Sequence, residues 1–154
     1  RRGEKELSGD DRRLAVGWAG PDLAFYEDFT AVENLRFFGR AGGRPREDRE
    51  LTRRLEDVGL SGALDRRVGA FSTGMKQRLK IAFSLLFDPP VLLLDEPMIG
   101  LDPDGRAIVE RVVAAQRRSG LAVLASNDSR DFLAPDQTVE LGGRESEIGN
   151  RKPE

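Results

Sequence analysis

The middle of the chain passes from an amphipathic segment to a short apolar one. Ser72 precedes a stretch in which apolar residues recur every three or four positions, and this spacing predicts a helix over residues 73–87. The prolines at positions 89–90 end that helix. The unbroken apolar run of residues 91–94 then predicts a parallel strand covered on both faces.

Two more amphipathic helices are predicted before this segment. Thr30 and Glu33 have the T-x-x-E spacing of a capping box, which predicts a helix that begins after Thr30 and ends near Gly39. Apolar residues on one face of residues 46–58 predict the next helix, with Gly59 at its C-terminal end.

The remaining pattern alternates strands with a helix. Residues 14–18 and 121–125 predict short strands, and residues 138–141 predict a last one. The aspartate–proline pair at positions 102–103 predicts the start of a helix that ends at Gly120. Three consecutive helices thus interrupt a strand–helix alternation, which indicates an α/β fold with a parallel sheet.

Composition narrows the classes of function. A length of 154 residues predicts one domain, and 25 basic against 27 acidic residues leave a net charge of −2. No basic field is present for nucleic acid, so we expect no nucleic-acid partner. The absence of histidine excludes imidazole from catalysis and metal binding. No apolar run approaches the roughly 20 residues of a membrane span, so any membrane role would need a separate subunit.

An acidic pair directly follows the predicted strand 91–94. Asp95 and Glu96 would emerge at the carboxyl edge of the sheet, where open α/β sheets bind their ligands. Carboxylates there suit phosphoryl transfer, which needs a bound metal ion and a group that orients the attacking water. The alternative is an acidic pair that only caps an ordinary loop.

The sequence FSTGMKQRLKIAFSLLFDPPVLLLDEPMIGLD at residues 71–102 resembles the ABC ATPases. In that family a signature helix, a Walker B strand and a D-loop follow in this order at this spacing. The resemblance extends over about residues 15–142. It implies a parallel sheet of the P-loop NTPase (RecA-like) type with an inserted all-α helical subdomain.

By the same resemblance, the intact protein would use ATP and Mg²⁺ as a dimer with a second ABC ATPase subunit. Hydrolysis would drive a membrane permease docked on the helical subdomain, so the protein would be cytoplasmic and peripheral at the inner face of the cell membrane. Two alternatives stay open. One is a non-catalytic, degenerate partner module, and the other is a soluble ABC ATPase without a role in transport.

The resemblance assigns roles to five residues around residues 71–102. Asp95 would hold Mg²⁺ and Glu96 would polarise the attacking water. Ser72, Thr73 and Gly74 match the signature turn, which faces a phosphate held by the other subunit, and an anion is favoured at a helix N-terminus. The alternative for Ser72 is that it only caps its helix.

Four other positions match or depart from the family pattern. Asp102 matches the D-loop aspartate that crosses the dimer interface, although it also suits an N-cap. Pro21 stands at the position of the Q-loop glutamine, and neighbouring Asp22 is a further candidate Mg²⁺ ligand. Asn127 stands at the position of the switch histidine, where its amide still donates a hydrogen bond; alternatively, it caps the following turn. The pair of Asn127 and Asp128, together with Ser-x-Gly-Met-Lys-Gln-Arg at residues 72–78, resembles the haem-exporter or cytochrome c maturation type of ATP-binding subunit.

The phosphate-binding motif G-x-x-x-x-G-K-[ST] does not occur in the sequence, which contains no Gly-Lys dipeptide and does not begin with methionine. We therefore expect an N-terminally truncated ABC ATPase that lacks Walker A and is inactive alone. The expected division is a remnant of the core sheet and Q-loop region over 1–22, the helical subdomain over 23–88, the second half of the nucleotide-binding core over 89–143 and a disordered tail over 144–154.

Most of the bulky aromatic residues fall in one short stretch of the predicted helical subdomain. Aromatic side chains chiefly fill protein cores, and a small helical subdomain needs a core. The alternative is that some of them line the groove in which a permease helix docks. The residues are Phe25, Tyr26, Phe29, Phe37 and Phe38.

Overall fold

The computed structural model describes residues 14–128, 131 and 135–140. Its three strands are β1 (Val16–Ala19), β2 (Val91–Asp95) and β3 (Leu121–Ala125). They form one parallel sheet in the order β1-β2-β3. The predicted remnant at residues 1–13 and the predicted tail at 144–154 lie outside the described residues.

The described residues also form four α-helices: α1 (Ala31–Ala41), α2 (Asp48–Asp57), α3 (Thr73–Ser84) and α4 (Pro103–Ser119). In the sequence, α1, α2 and α3 lie between β1 and β2, and α4 lies between β2 and β3. Two short 3₁₀ turns, Ser61–Ala63 and Val68–Ala70, connect α2 to α3. Among the described residues, no helix is both long and apolar enough to cross a bilayer. The predicted succession of strand, three helices, strand, helix and strand is therefore confirmed.

Local signals account for where the helices begin and end. The capping box is confirmed, since Thr30 Oγ1 accepts a hydrogen bond from Glu33 N and Glu33 Oε2 accepts one from Thr30 N. Gly59 has a φ of +73°, the left-handed conformation that glycine adopts after a helix. Helix α3 is shorter than predicted, because Leu85 ends it and Asp88 follows with a φ of +50°.

One face of the sheet is buried and the other is open. Leu92 and Leu94 of β2 are 0% and 2% exposed and belong to a core that includes Leu79 of α3 and Val109 of α4. Successive strand side chains point to opposite faces, and the opposite face carries apolar residues that are 40–55% exposed. The prediction that both faces of residues 91–94 are covered is thus wrong for the described part of the chain. The exposed residues are Val16, Trp18, Leu121 and Val123.

The last predicted strand is absent from the residues that can be described. Residues 138–140 have no strand conformation, and Val139 is 80% exposed. An apolar residue in a short run forms a strand only where another strand pairs with it, and the ladders of the sheet join β1, β2 and β3 alone among the described residues.

The aromatic stretch divides into a packed part and an exposed part. Phe25 and Phe38 make edge-to-face contacts with Phe83 of α3, with ring centroids 5.8 and 5.0 Å away. Beside them, Tyr26 contacts the rings of Phe29 and Phe37, and these three residues are 39–49% exposed. We call these three residues the aromatic patch: Tyr26, Phe29 and Phe37.

Candidate functional site

The carboxyl ends of β2 and β3 meet at one edge of the sheet. Asp95 pairs in register with Ala125, and Glu96 N donates a hydrogen bond to Ala125 O at 2.8 Å. The segments that follow the two strands are therefore neighbours. Glu96 and Asn127 both line an open cleft of about 700 Å³ at this edge.

The Glu96 carboxylate is held against the end of β3. Asn127 N donates a hydrogen bond to Glu96 Oε1 at 2.9 Å, and Ser126 Oγ lies 3.2 Å from Glu96 Oε2. Glu96 also has a φ of +50°, which is uncommon for a residue other than glycine and persists only where the surroundings enforce it. The backbone and the side chain of Glu96 are thus both constrained.

The Ser126 hydroxyl contacts three other residues of this site, and the sequence did not predict these contacts. Its Oγ lies 2.8 Å from Asp131 Oδ2 as well as 3.2 Å from Glu96 Oε2, and it accepts a hydrogen bond from Asp128 N. One hydroxyl proton can serve only one of the two carboxylates at a time. Asp131 is 5% exposed, and its other oxygen pairs with Arg106 Nη1 at 2.9 Å. Arg106 belongs to α4 and is 25 positions away from Asp131 in the sequence. No local sequence pattern therefore predicts this network.

Asn127 contributes its backbone, not its side chain, to this network. Among the described residues, no hydrogen bond engages the Asn127 side chain, which is exposed. Ser126 Oγ accepts a hydrogen bond from Asp128 N at the start of the following turn, and residues 129 and 130, whose amides an Asn127 cap would bind, lie outside the described residues, so the capping alternative stays open. As far as the described residues show, the side-chain amide of Asn127 therefore remains available to a ligand in the cleft.

Asp95 is the other carboxylate at this edge. It is half-buried, and within the described residues no ion pair or hydrogen bond engages its carboxylate. The described residues also hold no group of three or more potential ligands for a metal ion. One unpartnered carboxylate does fit Mg²⁺, which keeps several waters and is bound by one or two carboxylates together with substrate phosphates.

The turn that contains Pro21 is held by a lysine of α3. Lys80 Nζ donates hydrogen bonds to Gly20 O at 2.9 Å and to Pro21 O at 2.8 Å. Burial lowers the pKa of Lys80, and the nearby Asp22 carboxylate opposes that shift. Asp22 is exposed, so it is accessible to a ligand, and its carboxylate interacts electrostatically with the Lys80 ammonium group.

The signature turn begins α3. Ser72 Oγ accepts a hydrogen bond from Met75 N at 3.3 Å, so the capping role of Ser72 is observed. Ser72 and Thr73 are exposed, and Gly74 packs closely on Gly100: a Cβ at Gly74 would lie 2.8 Å from Gly100 O. The turn therefore combines two exposed residues with direct contact to the segment that follows Glu96.

Asp102 ends that segment and begins α4. Its Oδ1 accepts a hydrogen bond from Gly105 N at 2.8 Å and one from Arg78 Nη2 at 2.5 Å. These contacts, first the Gly105 amide and then the Arg78 guanidinium, hold the pKa of the Asp102 carboxyl below its ordinary value. The N-cap alternative is thus observed.

The lowered pKa of Asp102 predicts a pH-dependent contribution to stability. A carboxyl group whose pKa is lower in the folded state stabilises the fold above its unfolded-state pKa of about 3.9, and this contribution is lost as the pH falls through the folded-state pKa. Asp102→Asn keeps an N-cap acceptor but has no charge to titrate. We therefore expect urea unfolding between about pH 6 and pH 2 to show a flatter pH dependence in Asp102→Asn than in the unaltered chain.

Asp104→Asn is the matched control, since Asp104 is an exposed carboxylate in the first turn of the same helix. Equal flattening in Asp104→Asn and Asp102→Asn would contradict the assignment, because general charge at the helix start would then explain the effect.

The sequence of this chain matches a known protein family and several of its members. Residues 4–99 match the family model described as ABC transporter, which is more than half of the 154 residues. The chain belongs to the ABC transporter family. The matched segment includes the signature turn and both carboxylates, Asp95 and Glu96.

Several curated relatives belong to the same family. The chain is 46% identical over 106 residues to an uncharacterized ABC transporter ATP-binding protein, YxlF, of Bacillus subtilis, covering 68% of this chain and 35% of that protein. It is 38% identical over 120 residues to the ABC transporter ATP-binding protein NatA of Bacillus subtilis, covering 75% and 48%. It is 41% identical over 138 residues to the daunorubicin resistance ATP-binding protein DrrA2 of Streptomyces coeruleorubidus, covering 86% and 42%.

The chain thus spans about a third to a half of the length of these relatives. A solved structure titled "Structure of ATP binding subunit of ABC transporter" matches with a TM-score of 0.65 and 28% identity, over 77% of this chain and 51% of that one. Together with the three parallel strands, this match confirms the α/β fold class predicted from the sequence.

Proposed function

We propose that this chain provides the signature helix, the Walker B carboxylates and the switch segment of the ATP-binding and ATP-hydrolysing subunit of an ABC transporter. One observation carries the proposal. The Glu96 carboxylate, at the end of β2, accepts a hydrogen bond from Asn127 N at the end of β3. Two positions that were selected separately from the sequence therefore share one ligand-accessible edge.

In the proposed site, Glu96 and Asn127 act on the reacting groups. The Glu96 carboxylate orients the attacking water and accepts its proton, and the exposed Asn127 amide donates a hydrogen bond to the terminal phosphate. Asp95 holds the Mg²⁺ ion of MgATP, with Asp22 as a further candidate ligand. When bound, Mg²⁺ neutralises charge on the phosphates.

The proposed dimer places the start of α3 opposite a nucleotide bound to the other ABC ATPase subunit. Ser72, Thr73 and Gly74 would present the unpaired amides and partial positive charge of a helix N-terminus to the phosphates. The side chain of Asp102 is 62% exposed although it binds Arg78, so the same segment remains accessible to the partner as a D-loop.

A permease subunit is the proposed occupant of the aromatic patch. Such a partner would place the protein at the cytoplasmic face of the membrane without a membrane span of its own. Residues 23–88 carry this patch and form the proposed helical subdomain. Residues 89–143 form the second half of the nucleotide-binding core, and residues 1–22 belong with its first half.

A non-catalytic partner module is the second candidate, and a specific observation favours it. Pro21 replaces the glutamine of the Q-loop, and its carbonyl is bound by Lys80, so the loop offers no side-chain amide to a water or a metal ion. A soluble, non-transport ABC ATPase is the third candidate. The proposed haem-exporter or cytochrome c maturation type depends on Asn127 and Asp128, and none of the relatives reported above bears such a name.

The decisive experiment supplies a phosphate-binding loop. We expect the 154-residue chain alone to hydrolyse no ATP, because its sequence offers no P-loop lysine and no amide cradle for the β- and γ-phosphates. Joining to residue 14 the segment of an ABC ATP-binding protein that carries the G-x-x-x-x-G-K-[ST] motif should give Mg²⁺-dependent phosphate release. We call this fusion the completed protein.

Phosphate release measured on both proteins separates the catalytic candidates from the non-catalytic one. Steady turnover by the chain alone, abolished by Glu96→Gln, would contradict the requirement for a P-loop. A folded completed protein that binds ATP but releases no phosphate would favour the non-catalytic module.

A further inference from the structure

We propose that Gln77 of α3 is a positioning residue for Glu96, an inference that rests on the catalytic role proposed for Glu96. Gln77 is 9% exposed, which is unusual for an uncharged polar residue of its length. Its Nε2 lies 3.3 Å from Glu96 O and 3.2 Å from Pro97 O. A buried amide of the signature helix therefore binds the backbone of the residue proposed to orient the attacking water.

The chemistry of this contact requires a neutral donor of this length. Both partners of Gln77 are carbonyl oxygens, which only accept, so the NH₂ end of the amide faces them with one hydrogen for each. A methionine would fill the same space without donating, and an ionised glutamate would place a negative charge against two carbonyl dipoles. Neither replacement preserves the contact.

The contact fixes the direction in which the Glu96 side chain leaves the backbone. On its amino side, Glu96 N is bound to Ala125 O at 2.8 Å. On its carboxyl side, Gln77 binds Glu96 O. Glu96 has a φ of +50°, and such a conformation persists only when surrounding contacts enforce it. Without Gln77, the residue loses the constraint on one side and can relax toward negative φ, which would turn its carboxylate away from Asn127.

Gln77 is also the centre of a larger contact along one face of α3. Gly74, Gln77 and Arg78 are spaced i, i+3 and i+4, so they share one side of the helix. Gly74 packs on Gly100 O, Gln77 binds the carbonyls at positions 96–97, and Arg78 binds Asp102. The whole segment from residue 96 to residue 102 is thus attached to the helix that begins with the signature turn.

Gln116 offers a matched control. It is 7% exposed on α4, and its Nε2 donates a hydrogen bond to Pro89 O at 3.0 Å. This is the same kind of contact, a buried glutamine amide bound to a backbone carbonyl, but it lies before the first residue of β2 and Glu96 follows the last. Gln77→Met and Gln116→Met therefore remove the same kind of contact from opposite ends of one strand, two hydrogen bonds in the first variant and one in the second.

The first test uses the 154-residue chain without nucleotide and measures amide hydrogen exchange by NMR. The reporter is the backbone N–H of Asn127, which donates to Glu96 Oε1. We expect Gln77→Met and Gln77→Glu to accelerate its exchange by about fivefold relative to the amide of Leu92, since a net hydrogen bond is worth about 1 kcal/mol. Gln116→Met should leave this ratio unchanged. An unchanged ratio in both Gln77 variants, or an equal change in Gln116→Met, would overturn the proposal.

The second test uses the completed protein. We expect Gln77→Met to lower kcat by about tenfold with KM for ATP unchanged. The reason is that a displaced Glu96 stabilises the transition state less, whereas it contributes little to the binding of nucleotide. Gln116→Met should change neither constant. A loss confined to KM, or equal losses of kcat in the two variants, would contradict the positioning role. If the completed protein hydrolyses no ATP, the proposed function fails, whereas the exchange experiment still decides the role of Gln77.

Discussion

Replacing Glu96 by glutamine in the completed protein is expected to lower kcat for ATP hydrolysis by about 10²–10⁴-fold, the range of a general base. The carboxylate orients water and accepts a proton chiefly in the transition state, so nucleotide affinity should change little. Phosphate release gives kcat, and equilibrium binding of a fluorescent ATP analogue gives the affinity.

The substitution is conservative for the fold. Glutamine keeps an oxygen that accepts from Asn127 N, which Glu96 Oε1 does at 2.9 Å. Glu110→Gln is the matched control, because Glu110 is exposed on α4 and the same charge is removed away from the cleft. Unchanged turnover in Glu96→Gln would show that Glu96 is structural, and a similar loss in Glu110→Gln would point to a general effect of charge.

Features set by neighbouring residues could be predicted from the sequence. The capping box of Thr30 and Glu33 and the N-caps Ser72 and Asp102 each involve groups three positions apart, and the structure contains all of them. Such contacts depend on local backbone geometry, which a short motif specifies. The position of Asp95 at the edge of the sheet was predictable for a related reason, since the apolar run of residues 91–94 marks where the strand ends and Asp95 follows it directly.

Contacts between distant segments were not predictable in the same way. Gln77 reads as a polar residue on an amphipathic helix, and only the packed structure reveals that it is buried against the backbone of Glu96. Asp131 and Arg106 are 25 positions apart, yet their side chains form an ion pair, and the Asp131 carboxylate also contacts Ser126 Oγ. No periodicity encodes such pairs, because they depend on how α3 and α4 pack on the sheet.

The open face of the sheet illustrates the same limit for apolar residues. A continuous apolar run over residues 91–94 predicts burial on both sides, yet Val16 and Leu121 on the adjoining strands are 42% and 55% exposed. The pattern records that these side chains suit an apolar environment. It does not specify which part of a protein supplies that environment.

Asn127→Ala in the completed protein is expected to lower kcat by about 10²-fold, the usual cost of losing one preorganised hydrogen-bond donor. The exposed side chain has no partner among the described residues, so its amide is free to meet a terminal phosphate. Alanine keeps the backbone N–H that binds Glu96, and the loss would therefore report on the side chain alone. Asn127→His should preserve or raise turnover, because the imidazole ring also offers an N–H donor.

Stability distinguishes this role from a structural one. If the Asn127 side chain capped the following turn, its removal would cost about 1 kcal/mol while turnover per folded molecule stayed the same. In the described part of this turn the hydrogen bond comes from Ser126 instead, whose Oγ accepts from Asp128 N at 3.1 Å. Asn127→Ala should therefore leave Tm nearly unchanged, whereas Ser126→Ala should lower it. A lower Tm with unaltered kcat in Asn127→Ala would defeat the catalytic assignment, since the side chain would then support the turn and not the phosphate.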